Sequence, residues 1–234
     1  MSAARDAKRD QILSAAVGVF GRYGYRRTSM DLVARAAGVS RPALYQHFSG
    51  KDDLFRAMGA WMLDGLLAAA EAAGRVGGTA GGTVGGTVGG TVGGTVGGTV
   101  GGTVGGTVGG TVGGTVGGTV AARLYGALAV KLDFFVGTVE AEFRGEMLAE
   151  AGVVAPELTA AFKERHTAIV EKILTSAAGE LDLLDVALSA HDAAVLLVDA
   201  LTGIAQEQAA PEVLHTRLRQ LVDLTIRGLT TRAR

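Results

Sequence analysis

The chain has no cysteine, a single tryptophan, three prolines and almost no net charge, with 22 basic against 23 acidic side chains in 234 residues. Without cysteine there is no disulfide, no thiol nucleophile and no cysteine-based zinc site. No uncharged apolar run is long enough to span a bilayer, because the greasiest tract, residues 186–205, is broken by His191, Asp192 and Asp199. The N-terminus carries Arg5, Asp6, Lys8, Arg9 and Asp10 with no apolar stretch and cleavage-like site behind them. A secretory signal is therefore not expected, and a cytoplasmic chain with no membrane partner is. Catalytic signatures are lacking as well. His166, His191 and His215 are scattered, and the sequence has no His-Glu-x-x-His spacing, no Gly-x-Ser-x-Gly elbow and no dinucleotide fingerprint. Gly50-Lys51 is followed by Asp52 rather than Ser or Thr, so it is not a P-loop. Neither enzyme activity nor a metal nor a cofactor is expected.

Glycine is the residue in excess. Of 37 glycines, 22 fall between Gly77 and Val120, where one Gly-Gly-Thr-Ala unit precedes ten Gly-Gly-Thr-Val units. The remaining 190 residues carry 15 glycines, the proportion of an ordinary globular chain. The near-zero charge also hides a division. Residues 1–56 hold ten Lys/Arg against five Asp, a balance of +5, and the rest of the chain balances to -6. A basic head on an acidic body points to a polyanionic partner for the head.

Hydrophobic periodicity is helical throughout, outside the repeat. Ile12, Leu13, Ala16, Phe20 and Tyr23 recur at spacings of three and four, and Gly24 closes that helix. Thr28, with Asp31 three residues on, reads as the cap of a short second helix buried through Leu32, Val33 and Ala36. Gly38 then breaks the chain in a left-handed turn, and Ser40 caps a third helix whose early Pro42 is tolerated where amide protons lack partners anyway. A fourth helix runs from Ser49-Gly50-Lys51-Asp52 to about Ala73. Two short helices across Ala37-Gly38-Val39 have helix-turn-helix spacing, in which the second helix enters the major groove. Leu44 faces inward on that helix. Arg41 and Gln46 can reach purine edges, and Pro42, Ala43 and Tyr45 can meet thymine methyls.

The run ILSAAVGVFGRYGYRRTSMDLVARAAGVSRPALYQHFSGKDDLF resembles the DNA-binding domain of the tetracycline-repressor family of bacterial transcription regulators. The marks are Phe20 with Gly24-Tyr25, Thr28, the Ala34-x-x-Ala37-Gly38-Val39-Ser40 turn, Leu44-Tyr45-x-His47-Phe48, and Lys51 with Leu54. The resemblance implies that Ser40, Arg41, Pro42, Ala43, Tyr45 and Gln46 line a recognition helix. It also implies that Tyr45, His47 and Lys51 reach phosphates, and that Thr28 anchors the second helix near the DNA backbone.

Beyond the repeat, helices are expected over about 121–136, 139–151, 158–174, 184–208 and 212–229, with Pro156 and Pro211 as breaks. The expected fold is all-α. Its parts are a helix-turn-helix head at 1–50, a connecting helix at 51–76, an unstructured repeat insert at 77–120, and a helical effector-binding and dimerisation domain at 121–234. By resemblance, the last two helices pair with their copies in a homodimer, and the middle helices enclose a cavity for a small apolar effector. Tyr125, Phe134, Phe135, Phe143, Met147, Phe162 and His166 are the candidate lining residues. The implied function is a ligand-responsive repressor released from a palindromic operator of double-stranded DNA. A structural or adhesive protein, whose Gly-Thr-Val tract is the working part, is the alternative.

The tract itself is half glycine, each costing about 1 kcal/mol in a helix relative to alanine, which excludes a helix. As a coil its 44 residues would span roughly 36 Å, and closing it in place of a short loop adds only about 2 kcal/mol. As a passive loop, it can be exchanged for a short Gly-Ser linker with operator affinity and effector release unchanged in gel-shift titrations. A change in either quantity assigns the tract a part in coupling the cavity to the head.

Overall fold

The computed structural model describes residues 2–76, 118–182, 184 and 188–230, and every regular element among them is helical. In chain order the α-helices are α1 (Ser2–Arg27), α2 (Met30–Ala36), α3 (Arg41–Tyr45), α4 (Lys51–Val76), α5 (Val120–Thr138), α6 (Arg144–Val154), α7 (Pro156–Ser176), α8 (Ala190–Gln206) and α9 (Pro211–Gly228). A 3-10 turn at Ala141–Phe143 joins α5 to α6. Of the repeat expected to be unstructured over 77–120, residues 77–117 lie outside the described residues, and its end is ordered: the Thr119 hydroxyl accepts from the Ala122 amide and caps α5, whose first residue is the buried Val120.

Local chemistry accounts for the ends of these helices. Gly24 interrupts α1 with φ +73°, a conformation open to glycine at little steric cost. The cap of α2 differs from the expected one. Ser29, not Thr28, accepts the amide proton of Leu32, while Thr28 is buried and donates its hydroxyl to the Gly24 carbonyl at 2.6 Å. Gly38 takes φ +63° in the turn before α3. The expected helix from residue 184 instead begins at Ala190, because Ser189 accepts from the Asp192 amide and caps it there; Leu184 and Leu188 form only an isolated bridge.

Packing divides into two main cores. The N-terminal core is built on Ile12, Leu13, Phe20, Val33, Leu44, Phe48 and Leu54, and it draws in Val139, Phe143, Met147 and Val154 from beyond the repeat. The head is thus not closed by its own helices alone. Trp61 of α4 packs half-buried against the same core, one residue ahead of the larger space beneath that helix. The C-terminal core joins Leu124, Leu128, Leu132, Leu174, Leu197, Leu201, Leu214 and Leu218.

Two details govern how the layers meet. A Cβ added at Gly21 would lie 2.0 Å from the Thr138 carbonyl oxygen, and the Glu140 amide donates to the Gly21 carbonyl at 2.9 Å, so α1 and the end of α5 touch backbone to backbone. His166 is buried between α7 and α5, its Nε2–H donating to the Ala127 carbonyl at 3.2 Å while Nδ1 has no partner among the described residues. Burial, reinforced by the nearby Lys131 charge, pushes the His166 imidazole down to about 4, so it is neutral at pH 7.

Gly21→Ala is expected to lower unfolding free energy by about 1–3 kcal/mol through this backbone clash. Gly18→Ala, three residues earlier with open space at its Cβ, should raise it by up to about 1 kcal/mol. Urea unfolding at one fixed protein concentration measures both, and equal effects would refute the close approach. For His166, the unfolded chain takes up a proton below its ordinary value of 6.5 and the folded chain does not until about 4, so stability is lost as pH falls through that window. The loss attributable to this group reaches on the order of 3 kcal/mol at the lower end. His166→Leu should remove it, so the stability of the variant relative to wild type rises between these pH values; a pH-independent difference would contradict a buried neutral imidazole.

Candidate nucleic-acid interface and ligand cavity

The helix-turn-helix is set by what it buries. Leu44 and Phe48 sink into the N-terminal core, which fixes the rotation of α3 and turns Arg41, Pro42, Tyr45 and Gln46 to the outside. The Ser40 hydroxyl accepts from the Ala43 amide at 3.3 Å, and the turn itself is held by Val39 N–H to Ala34 at 3.0 Å and by the Gln11 amide on the Ala37 carbonyl at 2.8 Å. Arg41 extends along this face. Its guanidinium lies 5.7 Å from the Tyr45 ring centroid and 3.4 Å from Asp31 on α2, an exposed pair that exchange with a phosphate or a base edge would cost little. Tyr45 is 42 % exposed although it is aromatic, with its ring beside the Arg41 guanidinium on the outer face. Ala43 and His47 are half-buried beside it.

Two of the residues expected at DNA make contacts within the head. Thr28 spends its hydroxyl inside, on Gly24, and presents no surface. Lys51 is half-buried, donates to the Tyr25 carbonyl at 3.1 Å and stacks 4.3 Å from the Tyr25 ring centroid. Tyr25 in turn donates to Asp52, and burial together with that carboxylate holds its hydroxyl well above the usual phenol range. Lys51 and Asp52 thereby pin the start of α4 to the end of α1. Arg5, Arg9, Arg22, Arg35 and Arg41 are exposed on the head, the positive surface that the charge division requires.

A cavity of about 500 Å³ opens behind the head, within the size range of small-molecule sites. Of the expected lining residues, Phe134, Phe135, Met147 and Phe162 stand in its wall. Tyr125, Phe143 and His166 do not. The Tyr125 hydroxyl is turned to His215 Nδ1 at 3.0 Å on α9; Phe143 lies beneath the Arg27 guanidinium, 5.0 Å away, and against Gly24; and His166 is held on Ala127. The wall includes residues that the periodicity did not single out. Val17, Phe20 and Gly21 of α1 contribute, so the head itself forms one side. Lys131, Lys163, Asp199 and Thr202 form a polar end. The clue to Lys131 was present in the sequence. It is a lone charge on the α5 face that bears Ala127, Phe134 and Phe135 at spacings of three and four. Burial pushes its ammonium down to about 8, partly offset by Asp199, so it remains a cation at neutral pH.

Head and body are also tied by polar contacts. The Arg26 amide and guanidinium donate to Glu146 and Glu150 at 2.9 and 2.8 Å, and Arg56 donates to the Val154 carbonyl at 2.6 Å. Buried Arg144 reaches the carbonyls of Val139, Glu207 and Ala209, joining the α5–α6 corner to the α8–α9 loop. Apolar side chains nonetheless remain outside on the last two helices, with Leu196, Val213 and Leu224 exposed by 60, 43 and 69 %. Among the described residues, no helix is long and apolar enough to cross a membrane.

Residues 12–58 match the family model described as bacterial regulatory proteins, tetR family. Over 69 residues the chain is 45 % identical to the HTH-type transcriptional activator FasR of Mycolicibacterium smegmatis, a match covering 30 % of this chain and 32 % of that one. It is 37 % identical over 68 residues to an HTH-type transcriptional repressor of Mycobacterium tuberculosis, covering 29 and 36 % respectively. These matches thus span about a third of the length of the curated relatives. Two solved structures agree over almost the whole chain. A TetR-family transcriptional regulator from Streptomyces coelicolor aligns with TM-score 0.61 at 18 % identity, covering 97 % of each chain. A TetR-family regulator from Rhodococcus sp. aligns with TM-score 0.60 at 17 % identity, covering 94 % of this chain and 99 % of that one. At such identities the likeness is one of fold.

Proposed function

We propose that this chain is a dimeric transcriptional regulator of the tetR family whose grip on DNA responds to a small molecule: residues 12–58 match that family's model, and the whole chain shares the fold of solved TetR-family regulators. The observation that carries the reading is the face of α3. Arg41, Pro42 and Tyr45 stand exposed on a short helix with Gln46 at its C-terminal cap, held to the core by Leu44 and by Phe48 just beyond it, on a head that carries an excess of basic side chains. The head comprises residues 1–50, α4 connects it to the body, and residues 121–234 dimerise and, together with α1 and α4, enclose the effector cavity. The protein acts in the cytoplasm, without catalysis, as a repressor of the genes next to its operator. An activator and a repressor both stand among its relatives, so a promoter fusion is the direct measure of sign.

Two heads on a twofold axis fit paired half-sites in successive turns of the major groove. The exposed Leu196, Val213 and Leu224 support α8 and α9 as the pairing surface, since apolar side chains of this size are otherwise mostly covered. Effector-free dimer holds the operator; a ligand in the cavity favours a state with the heads misplaced for the half-sites. Support for that coupling comes from the cavity wall, in which α1 takes part directly through Val17, Phe20 and Gly21.

Selection of bound DNA from a random pool should yield a palindromic sequence. On that sequence Arg41→Ala is expected to cost about 1–3 kcal/mol and to relax preference at one position of each half-site, whereas Tyr45→Ala weakens binding with helicity and dimer mass unchanged. Fluorescence anisotropy with matched and mismatched duplexes measures both. Unselective recovery from the pool, or wild-type affinity in both variants, would overturn the assignment of α3.

A further inference from the structure

The cavity is apolar where α1, α4 and α6 form its wall and charged only where α5, α7 and α8 meet. At that end Lys131 Nζ donates to Thr202 Oγ1 at 3.1 Å and lies 5.5 Å from the Phe162 ring centroid. Thr202 sends its own proton to the Val198 carbonyl at 3.0 Å, so it takes one ammonium hydrogen and offers nothing back to the cavity. Asp199 is held by Lys163 at 2.6 Å, a pair whose side chains are about half exposed, at 50 and 51 %. Among the described residues, no carboxylate stands within ion-pair distance of Lys131. Two lysines against one aspartate leave this end of the cavity with one positive charge in excess.

We propose that the cavity takes an amphiphilic monocarboxylate, its carboxylate paired with Lys131 and its hydrocarbon part laid along the aromatic wall toward α1. The inference rests on the reading of this cavity as the effector site and narrows the effector from an apolar molecule to an acid with an apolar body.

Charge and shape agree on this choice. A cation drawn from water is costly when unpaired, and a ligand carboxylate supplies the missing partner in surroundings that strengthen the attraction. A neutral head offers no charge to balance Lys131, and an amine would meet two ammonium groups. Thr138, whose carbonyl abuts Gly21, lies seven residues beyond Lys131 on α5, about 10 Å along the helix axis. Phe134 and Phe135 fill that interval, with Phe162 at its charged end and Val17 and Phe20 of the head at the other. A hydrocarbon chain anchored at Lys131 therefore runs from the charged end to the side of the cavity that α1 forms. Its length determines whether it presses on α1.

The test is isothermal titration calorimetry on the full chain with dodecanoate, dodecan-1-ol and dodecylamine, each below its aggregation threshold. Wild type should bind dodecanoate at least about tenfold more tightly than the alcohol, as expected for a desolvated charge-assisted hydrogen bond, and the amine least of all. Lys131→Met, which preserves the apolar stem, should erase the preference for the acid and leave the alcohol unaffected; Lys131→Gln serves as a second neutral variant should the first not fold. Dodecanoate bound equally by wild type and a folded neutral variant overturns the proposal, as does an alcohol bound by wild type as tightly as the acid. The same preparations are titrated onto the selected operator. Intact, selective DNA binding without acid preference defeats the ligand assignment alone, while failure to bind DNA selectively defeats the regulator reading.

Discussion

The architecture depends on one place where a side chain is missing. Gly21 lets the backbone of α1 lie against the last turn of α5, with the Thr138 carbonyl where a Cβ would otherwise be and the Glu140 amide donating to the Gly21 carbonyl. From that contact follows much of the remaining geometry. The 3-10 turn and α6 are delivered directly beneath the head, so that Phe143 and Met147 complete the N-terminal core instead of belonging to the C-terminal one. Arg26 can then reach Glu146 and Glu150, and Phe20 and Val17 can form the wall of a cavity that would otherwise be enclosed by the body alone.

Polar groups drawn into this seam are nearly all satisfied, which is what allows the seam to be buried. Arg144 distributes its donors over carbonyls from two loops, Thr28 closes on Gly24, and Lys51, Tyr25 and Asp52 form a chain across the start of α4. His166 Nδ1 is the exception among the described residues, and the imidazole meets the resulting penalty by staying neutral. Lys131 resolves the same problem differently. It retains its charge, leans on one hydroxyl and one ring, and faces open space.

Helix periodicity makes the all-α fold and the helix-turn-helix legible from the sequence, because Leu44 can occupy only the inner side of a short capped helix and Phe48 enters the same core just beyond it. The places where reading and structure part are those decided by tertiary contact. Thr28 and Ser29 are both plausible caps, and only the closeness of the Gly24 carbonyl draws one of them inside. Phe143 and Tyr125 are aromatic like Phe134, yet Phe143 packs beneath Arg27 and the Tyr125 hydroxyl is drawn to His215. On the last two helices, Val198, Leu201, Leu214 and Leu218 are core whereas Leu196 and Leu224 are exposed. Composition ranks all of these alike. Apolar residues run on before α8, but the Ser189 cap, a local signal, outweighs them and sets its start at Ala190.

The chain has one tryptophan, and its position gives it an optical use. Trp61 sits half-buried on α4 against the N-terminal core, and the next residue, Met62, stands in the cavity wall. Indole emission is sensitive to the polarity around the ring, and here it arises from a single site, with no second tryptophan to average against. The unlabelled protein therefore carries its own fluorophore at the level where head and cavity adjoin, on the helix that connects the head to the body.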